Sequence, residues 1–369
     1  MMRITNISVY KVDLPLEHPY WLSGGRLKFE CLDATFVKLE TDAGITGWGE
    51  VCPIPHYLAA YARGVAPAVS EVAEVLLGAD PTGVEALMQR VERHLIGHGY
   101  AKSAIDIALW DITAKRAGLP LYALLGGLQQ NELPLYHSIT CVAPDEMARH
   151  ASEAQAQGIA QFQVKLGADG DWQNDVERLV KVREAVGSGP LVYGDWNCGA
   201  DVLTATRTAN AVAHLDVMLE QPCATTGECA SVKAASGLPM KLDETAFDTA
   251  SLLEGARLGC MDAVAIKLSK FGGLSAARRA RDLCEYLGAK MCIECTWGSD
   301  IVTSAALHLA ASTRPDRLLN TCDLSGYVAP RLDPSGPTRA SGRITVPDAP
   351  GLGINPDTDL LGRPDLVLG

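Results

Sequence analysis

Eight short apolar runs, at residues 133–140, 161–167, 190–195, 216–221, 239–243, 262–268, 290–295 and 318–323, alternate with stretches that carry apolar residues at helical spacing. Those stretches lie near 144–157, 173–186, 201–213, 225–236, 247–258, 274–288 and 300–312. Parallel neighbours in a sheet need a crossover of roughly a dozen residues or more between them, which a helix supplies. The runs are mostly continuous rather than alternating, as expected of strands covered on both faces. Eight such strands, with an eighth helix weak or missing, predict an α/β modified TIM barrel of the (β/α)7β kind over residues 128–324.

The first 127 residues follow a different pattern. Three strands are predicted near 2–14, 33–41 and 44–50, the last two joined by the turn Thr41-Asp42-Ala43-Gly44. Helices follow near 57–77, 82–97 and 100–118, and Gly118 stops the third. This is an α+β capping domain, completed by residues 325–369, where Gly342-Arg343-Ile344-Thr345-Val346-Pro347 returns to it. Two stretches, His18-Pro19-Tyr20-Trp21-Leu22-Ser23-Gly24-Gly25 and Val51-Cys52-Pro53-Ile54-Pro55-His56-Tyr57, read as long loops. Long loops that carry aromatic and polar residues are candidate binding loops, which nominates Trp21, Ser23, His56 and Tyr57; equally, Trp21 and Tyr57 serve to pack the loops down.

A formal charge of -12, with no run of Lys or Arg, argues against a nucleic-acid partner. No apolar run approaches the ~18 residues of a membrane span, and the N-terminus alternates like a strand instead of carrying a signal-peptide core. The 11 cysteines are scattered and odd in number, and Cys292-x-x-Cys295 has no second pair to complete a zinc site. Reduced, packed thiols in a cytoplasmic protein are expected.

In a parallel barrel the open face is formed by the C-terminal ends of the strands. Polar residues fall at every such end: His137, Ser138 and Thr140; Gln163 and Lys165; Asp195 and Asn197; Glu220 and Gln221; Asp243 and Glu244; Lys267, Ser269 and Lys270; Glu294; Asp323. Asp195, Glu220 and Asp243 are about 25 residues apart, one strand–helix unit each. Three carboxylates on successive strand ends, with no His among them, suit a hard divalent cation such as Mg²⁺ better than zinc. Taken singly, each acid could instead cap the following helix.

Lys165 and Lys267 end the second and sixth strands, so a closed barrel sets them on opposite sides of its axis. Their apolar neighbours Val164, Leu166, Ile266 and Leu268 argue against solvated side chains. A lysine with its pKa lowered by desolvation or a nearby cation is a proton-transfer group; the alternative is simple pairing with the metal-site acids.

Several motifs complete the picture: Thr46-Gly47-Trp48-Gly49-Glu50, Lys102-Ser103-Ala104-Ile105-Asp106-Ile107-Ala108-Leu109-Trp110-Asp111, Pro120-Leu121-Tyr122 with Leu124-Leu125-Gly126-Gly127, and Lys270-Phe271-Gly272-Gly273-Leu274. With the three acids and two lysines, they resemble the enolase superfamily, in its muconate-lactonizing/mandelate-racemase-type branch, over essentially the whole chain. The resemblance implies an essential Mg²⁺, one per subunit, on Asp195, Glu220 and Asp243. It also implies abstraction of a proton α to a carboxylate by Lys165 or Lys267, and a symmetric homo-oligomer. One departure stands out. Members with two lysines usually carry Lys-x-Lys on the second strand, where this chain has Gln163-Val164-Lys165; the missing cation leaves more of the tuning of Lys165 to the metal.

Two lysines facing one carbon permit racemisation or epimerisation, and also anti elimination. Asn197, Glu294 and Asp323 join the cap-loop residues as expected substrate contacts, the last two holding the distal part. A secondary ammonium can donate to a carboxylate, and Asp323 or Asp300 is nominated for it unless either caps a helix. The chain resembles the members that act on cyclic amino acids. Its segments Pro53-Ile54-Pro55-His56-Tyr57 and Gly194-Asp195-Trp196-Asn197-Cys198-Gly199 are most similar to cis-3-hydroxy-L-proline dehydratases. The resemblance therefore implies loss of water from that imino acid to give 1-pyrroline-2-carboxylate, with side epimerisation at C2 allowed. The alternatives are a 2-epimerase of proline betaine or 4-hydroxyproline betaine, an N-acyl amino acid racemase, and a non-catalytic imino-acid sensor.

Overall fold

The computed structural model describes residues 2–22, 27–55, 59–167, 169–334 and 336–369. Strands β1 (Ile4–Leu22), β2 (Leu27–Thr41) and β3 (Thr46–Val51) form an antiparallel meander. After helices Val65–Leu76, Val84–His94 and Gly99–Ala117 and the single turn Leu121–Leu124 come β4 (Glu132–Pro134) and the eight parallel strands. These are β5 (His137–Ile139), β6 (Gln161–Lys165), β7 (Leu191–Asp195), β8 (Met218–Glu220), β9 (Met240–Leu242), β10 (Ala263–Lys267), β11 (Lys290–Glu294) and β12 (Leu318–Thr321). Each strand lies beside its predecessor in sequence, and helices cross between them. After β12 only a short 3₁₀ turn, Leu324–Tyr327, stands where an eighth helix would be. The curled sheet is joined at its edges by a Leu135–Thr321 bridge and by Asn320 Nδ2 donating to Gln161 Oε1 (2.8 Å).

The tail adds β13 (Arg339–Ala340), β14 (Arg343–Thr345) and β15 (Leu366–Leu368). β15 pairs with β1 and extends the meander, while β14 pairs with β4. That pairing explains a departure from the reading of 133–140 as one strand. Residues 132–134 are drawn out to the tail, so the barrel strand itself is only His137–Ile139. The first helix starts at Val65 rather than near 57; Pro67 lacks an N–H and tolerates a helix only within the first turn. The stretch 18–22 belongs to β1, with Tyr20 opposite Phe29, Trp21 opposite Lys28 and Leu22 opposite Leu27 after an irregularity past Pro15.

The motifs mark how the cap is held together and how it is fixed to the barrel. Gly47 and Gly49 let β3 lie directly on helix Gly99–Ala117: a Cβ at Gly49 would be 1.8 Å from the Ala104 carbonyl oxygen, and one at Gly47 2.2 Å from that of Ala108. Farther along that helix, Asp111 accepts from Trp48 N (3.0 Å) and Leu352 N (2.9 Å), tying β3 and the tail to it. Asp106 caps barrel helix Leu274–Leu287 by accepting from Ser275 N (2.9 Å) and Ser275 Oγ (2.5 Å).

Candidate active site

Strand register brings the chemistry to one level. Lys165 is opposite Asp195, Asp195 is opposite Glu220, Glu220 is opposite Lys241, and Lys267 is opposite Glu294. Because side chains two apart share a face, Lys241 and Asp243 both lie on the interior side of the sheet with Glu220. Asp195 and Glu220 are 0% exposed and Asp243 1%.

Each acid meets an ammonium. Lys165 Nζ donates to Asp195 Oδ2 and to Asn197 Oδ1 (3.0 Å). Lys267 Nζ donates to Asp243 Oδ2 (2.7 Å), and Lys270 Nζ to Asp243 Oδ1 (2.8 Å). Lys241 Nζ stands 3.0 Å from Glu220 Oε1, yet the two are not aligned as a hydrogen bond and both remain without one. Glu220 Oε2 accepts from Gln163 Nε2 (2.8 Å), Gln163 Oε1 accepts from Ser138 Oγ (2.6 Å), and the Tyr20 hydroxyl is 2.6 Å from Ser138 Oγ. Since Ser138 spends its proton on Gln163, Tyr20 is the donor at the head of this relay. The lysines are thus paired with acids and also face the cavity.

The electrostatics follow from burial opposed by these pairs. Burial pulls the Lys165 pKa down, but Asp195, Tyr20 and Glu220 raise it more, so it lies above the ordinary value. For Lys267 burial is likewise overcome, by Asp243, Glu294 and Glu244. Burial raises Glu220, with Lys241 opposing it and Asp195 and Asp243 adding to the rise. Asp243 goes the other way: despite burial, Lys267 and Lys270 hold its carboxyl well below the usual range. Glu244 is pushed up to about 8 by burial and by the charges of Asp243 and Asp195.

Above this layer is a cavity of about 60 Å³. Lys165, Lys267, Asn197 and Glu294 face it from the barrel, and Tyr20, Leu22 and Ile54 close it from the cap. Tyr20, Trp297 and Tyr327 meet edge to face, with ring centroids 5.1–6.1 Å apart, and form its aromatic wall. Glu294 accepts from the Tyr136 hydroxyl (2.6 Å), and its other oxygen is 3.8 Å from Lys267 Nζ.

Of the residues nominated from the sequence, Lys165, Lys267, Asn197 and Glu294 are brought together at this cavity, with Asp195, Glu220 and Asp243 packed around the two lysines. Trp21 is not among the lining residues; alternation along β1 turns its neighbours Tyr20 and Leu22 inward, while Trp21 N donates to Thr140 Oγ1 (2.9 Å). Asp323 is absent from the lining too. It caps the 3₁₀ turn at Gly326 N (3.1 Å) and pairs with Arg339 Nε (2.6 Å). Asp300 is engaged by Arg331 Nε and by Leu332 N, each at 2.9 Å. Ser23, His56 and Tyr57 lie outside the described residues. Sequence reasoning passed over Tyr20 and Lys241. Lys241 carried a signal, since it is a lone lysine two residues before Asp243 in an apolar run.

The residues present suit a divalent cation. The donors are hard carboxylate oxygens, fully buried on successive strand ends, and Glu220 Oε1 is an orphan. The acids are drawn towards the lysine ammonium groups, and among the described residues no group of three or more His, Cys, Asp or Glu is drawn together as ligands.

A barrel with acids on three successive strand ends, lysines on strands β6 and β10, and an α+β cap closing the mouth defines a class of protein, and comparison with known families agrees. The model for the mandelate racemase / muconate lactonizing enzyme N-terminal domain matches residues 5–126, and the enolase C-terminal domain-like model matches residues 146–360. The chain belongs to the mandelate racemase/muconate-lactonizing branch of the enolase superfamily of enzymes. Among individual relatives, it is 41% identical to the cis-3-hydroxy-L-proline dehydratase of Roseibium aggregatum over 365 residues, 98% of this chain and 99% of that one. It is 30% identical to the N-succinyl-L-Arg/Lys racemase of Bacillus cereus, covering 98% and 97%. A solved enolase-superfamily structure from Roseovarius nubinhibens, complexed with magnesium, superposes over 100% of both chains with TM-score 0.94 at 37% identity.

Proposed function

We propose that this enzyme is a Mg²⁺-dependent dehydratase of cis-3-hydroxy-L-proline. The observation that carries the reading is the entry of two lysine ammonium groups, from strands four apart in an eight-stranded sheet, into one small cavity. In the proposed substrate the hydroxyl at C3 is cis to the carboxylate, so the C2 hydrogen lies on the opposite face from the hydroxyl. One lysine takes the C2 proton; the other gives a proton to the departing hydroxyl, which leaves as water as the C3–O bond breaks. The enamine that remains tautomerises to 1-pyrroline-2-carboxylate. Asp195, Glu220 and Asp243 would hold the cation, whose charge stabilises the substrate carboxylate as negative charge builds on it.

The other residues have separable tasks. Asn197 bridges the site: its Oδ1 accepts from Lys165 and its Nδ2 donates to Glu244 Oε1 (3.0 Å), so it orients the ammonium on that side. Glu294 is the carboxylate that faces the cavity, and it takes the role of accepting the ring ammonium for which the sequence nominated Asp323 or Asp300. The aromatic wall and the small volume favour a compact ring over an extended acyl amino acid. The 41% relative with nearly complete coverage supports the same substrate.

A ¹H NMR time course in D₂O with Mg²⁺ tests the reading. Loss of the C3 carbinol signal of cis-3-hydroxy-L-proline, with appearance of the pyrroline product, is the expected result. Deuterium entering C2 of proline betaine while the hydroxyproline stays intact would replace the dehydratase by an epimerase, which the same two lysines also serve.

A further inference from the structure

Lys241 is 0% exposed, does not line the cavity, and cannot act on substrate. Its ammonium sits over the ring of Tyr193 at 4.8 Å and near that of Tyr136 at 5.5 Å. A lysine buried this deeply is costly unless its charge is answered, and the acid beside it is Glu220, 3.0 Å away. The other acids are paired differently: Asp195 with Lys165, and Asp243 with Lys267 and Lys270. Lys165 and Lys267 face the cavity, where catalysis needs them. Lys241 is sealed beneath the cluster by two aromatic rings, so Glu220 has a counter-cation that substrate cannot recruit.

We propose that Lys241 is a permanent internal counter-cation of Glu220, a positioning residue that lets the acid cluster fold without metal and holds down its affinity for a divalent ion. This rests on the reading of Asp195, Glu220 and Asp243 as the metal ligands. A cation shared on Glu220 meets the like charge of Lys241 across the same carboxylate. The opposing charge weakens its hold, since Coulomb terms between buried groups are only weakly screened. The rings hold the ammonium in place by cation–π attraction.

The test replaces the charge and keeps the shape, with Lys241→Met. Mg²⁺ is titrated into metal-free wild type and variant by calorimetry, and thermal melting is followed with and without it. The expected result for K241M is Mg²⁺ affinity at least tenfold tighter, a lower melting temperature without metal, and a larger rise on adding it. Gln163 donates to the other oxygen of Glu220 (2.8 Å), so the double variant Q163K/K241M returns a cation to the same acid from strand β6 and restores both quantities towards wild type. If K241M does not fold without metal, E220Q/K241M recovers the fold, because neither charge is left alone. Unchanged affinity and melting in K241M would overturn the proposal, as would a K241M effect that Q163K fails to reverse. Wild type that binds no Mg²⁺ would sink the metal-site reading and the affinity claim together. The metal-free melting of K241M against E220Q/K241M would still decide whether Lys241 is the counter-cation.

Discussion

Asp106 joins the cap to the barrel, and its titration makes a test of how the two are held. The side chain is buried and accepts from Ser275 N (2.9 Å) and Ser275 Oγ (2.5 Å), while Trp110 Nε1 donates to the same hydroxyl (2.9 Å). Gly273 leaves room for this: a Cβ there would stand 2.6 Å from Asp106. Burial lifts the Asp106 pKa from 3.8 to about 6, against the bonds from Ser275 that lower it. A carboxyl whose folded pKa exceeds its unfolded one contributes stability that is complete below the unfolded value and is lost as pH rises through the folded value. A shift of roughly two units corresponds to about 3 kcal/mol, lost between about pH 4 and pH 6.

Asp106→Asn removes the charge and keeps the bonds. Its amide oxygen takes the Ser275 N–H, and its amide N–H₂ donates to the Ser275 hydroxyl, which still accepts from Trp110. Urea unfolding of both proteins from about pH 4.5 to pH 7.5 is the assay. Near pH 4.5, where the unfolded carboxyl is already mostly ionised, D106N should be the more stable by only about 1 kcal/mol, and near the upper end by about 3 kcal/mol. D106A, which strands the Ser275 N–H in the junction, should lie below D106N at every pH by about 1–3 kcal/mol. A difference between wild type and D106N that does not vary with pH would refute the reasoning, because it would mean the buried carboxylate is ionised without penalty.

The remaining predictions concern packing and chemistry. Gly49→Ala should cost upwards of about 3 kcal/mol, since the new Cβ meets a backbone oxygen at 1.8 Å, whereas Gly44→Ala, in open space at φ +72°, should cost only about 1–2; thermal melting of the pair compares them. Glu294→Gln should lower kcat/KM on the hydroxyproline about 100-fold with the fold intact by circular dichroism; an unchanged value would remove Glu294 from substrate recognition. Lys165→Ala and Lys267→Ala should each cut turnover by roughly 10²–10⁴. C2 deuterium exchange surviving in only one variant would mark the lysine lost there as the acid, and full turnover in either would refute the two-lysine assignment.

The alternation of apolar runs and helical stretches was enough to read the barrel, because a parallel strand must be followed by a crossover and both are written locally. The same periodicity placed Lys165, Asp195, Glu220, Asp243 and Lys267 at strand ends, since strand length and phase are local properties. Chain ends and cap edges were less legible. Residues 132–134 pair with residues 343–345, more than two hundred positions away, and no local pattern reports that.

Which groups answer one another was decided only by tertiary structure. Whether Tyr20 or Trp21 faces the cavity depends on the β1–β2 register after an irregularity past Pro15. Asp323 and Asp300, nominated in sequence beside Glu294 as substrate-facing acids, are consumed by a 3₁₀ cap with Arg339 and by a loop at residues 331–333. Lys241 reads as one lysine in an apolar strand until β8 and β9 pair and set it against Glu220, under two tyrosine rings. Sequence determines the face and phase of each side chain, because those follow from the backbone's own repeat. The partner across the barrel is set by strand order, register and closure, which are properties of the whole chain at once.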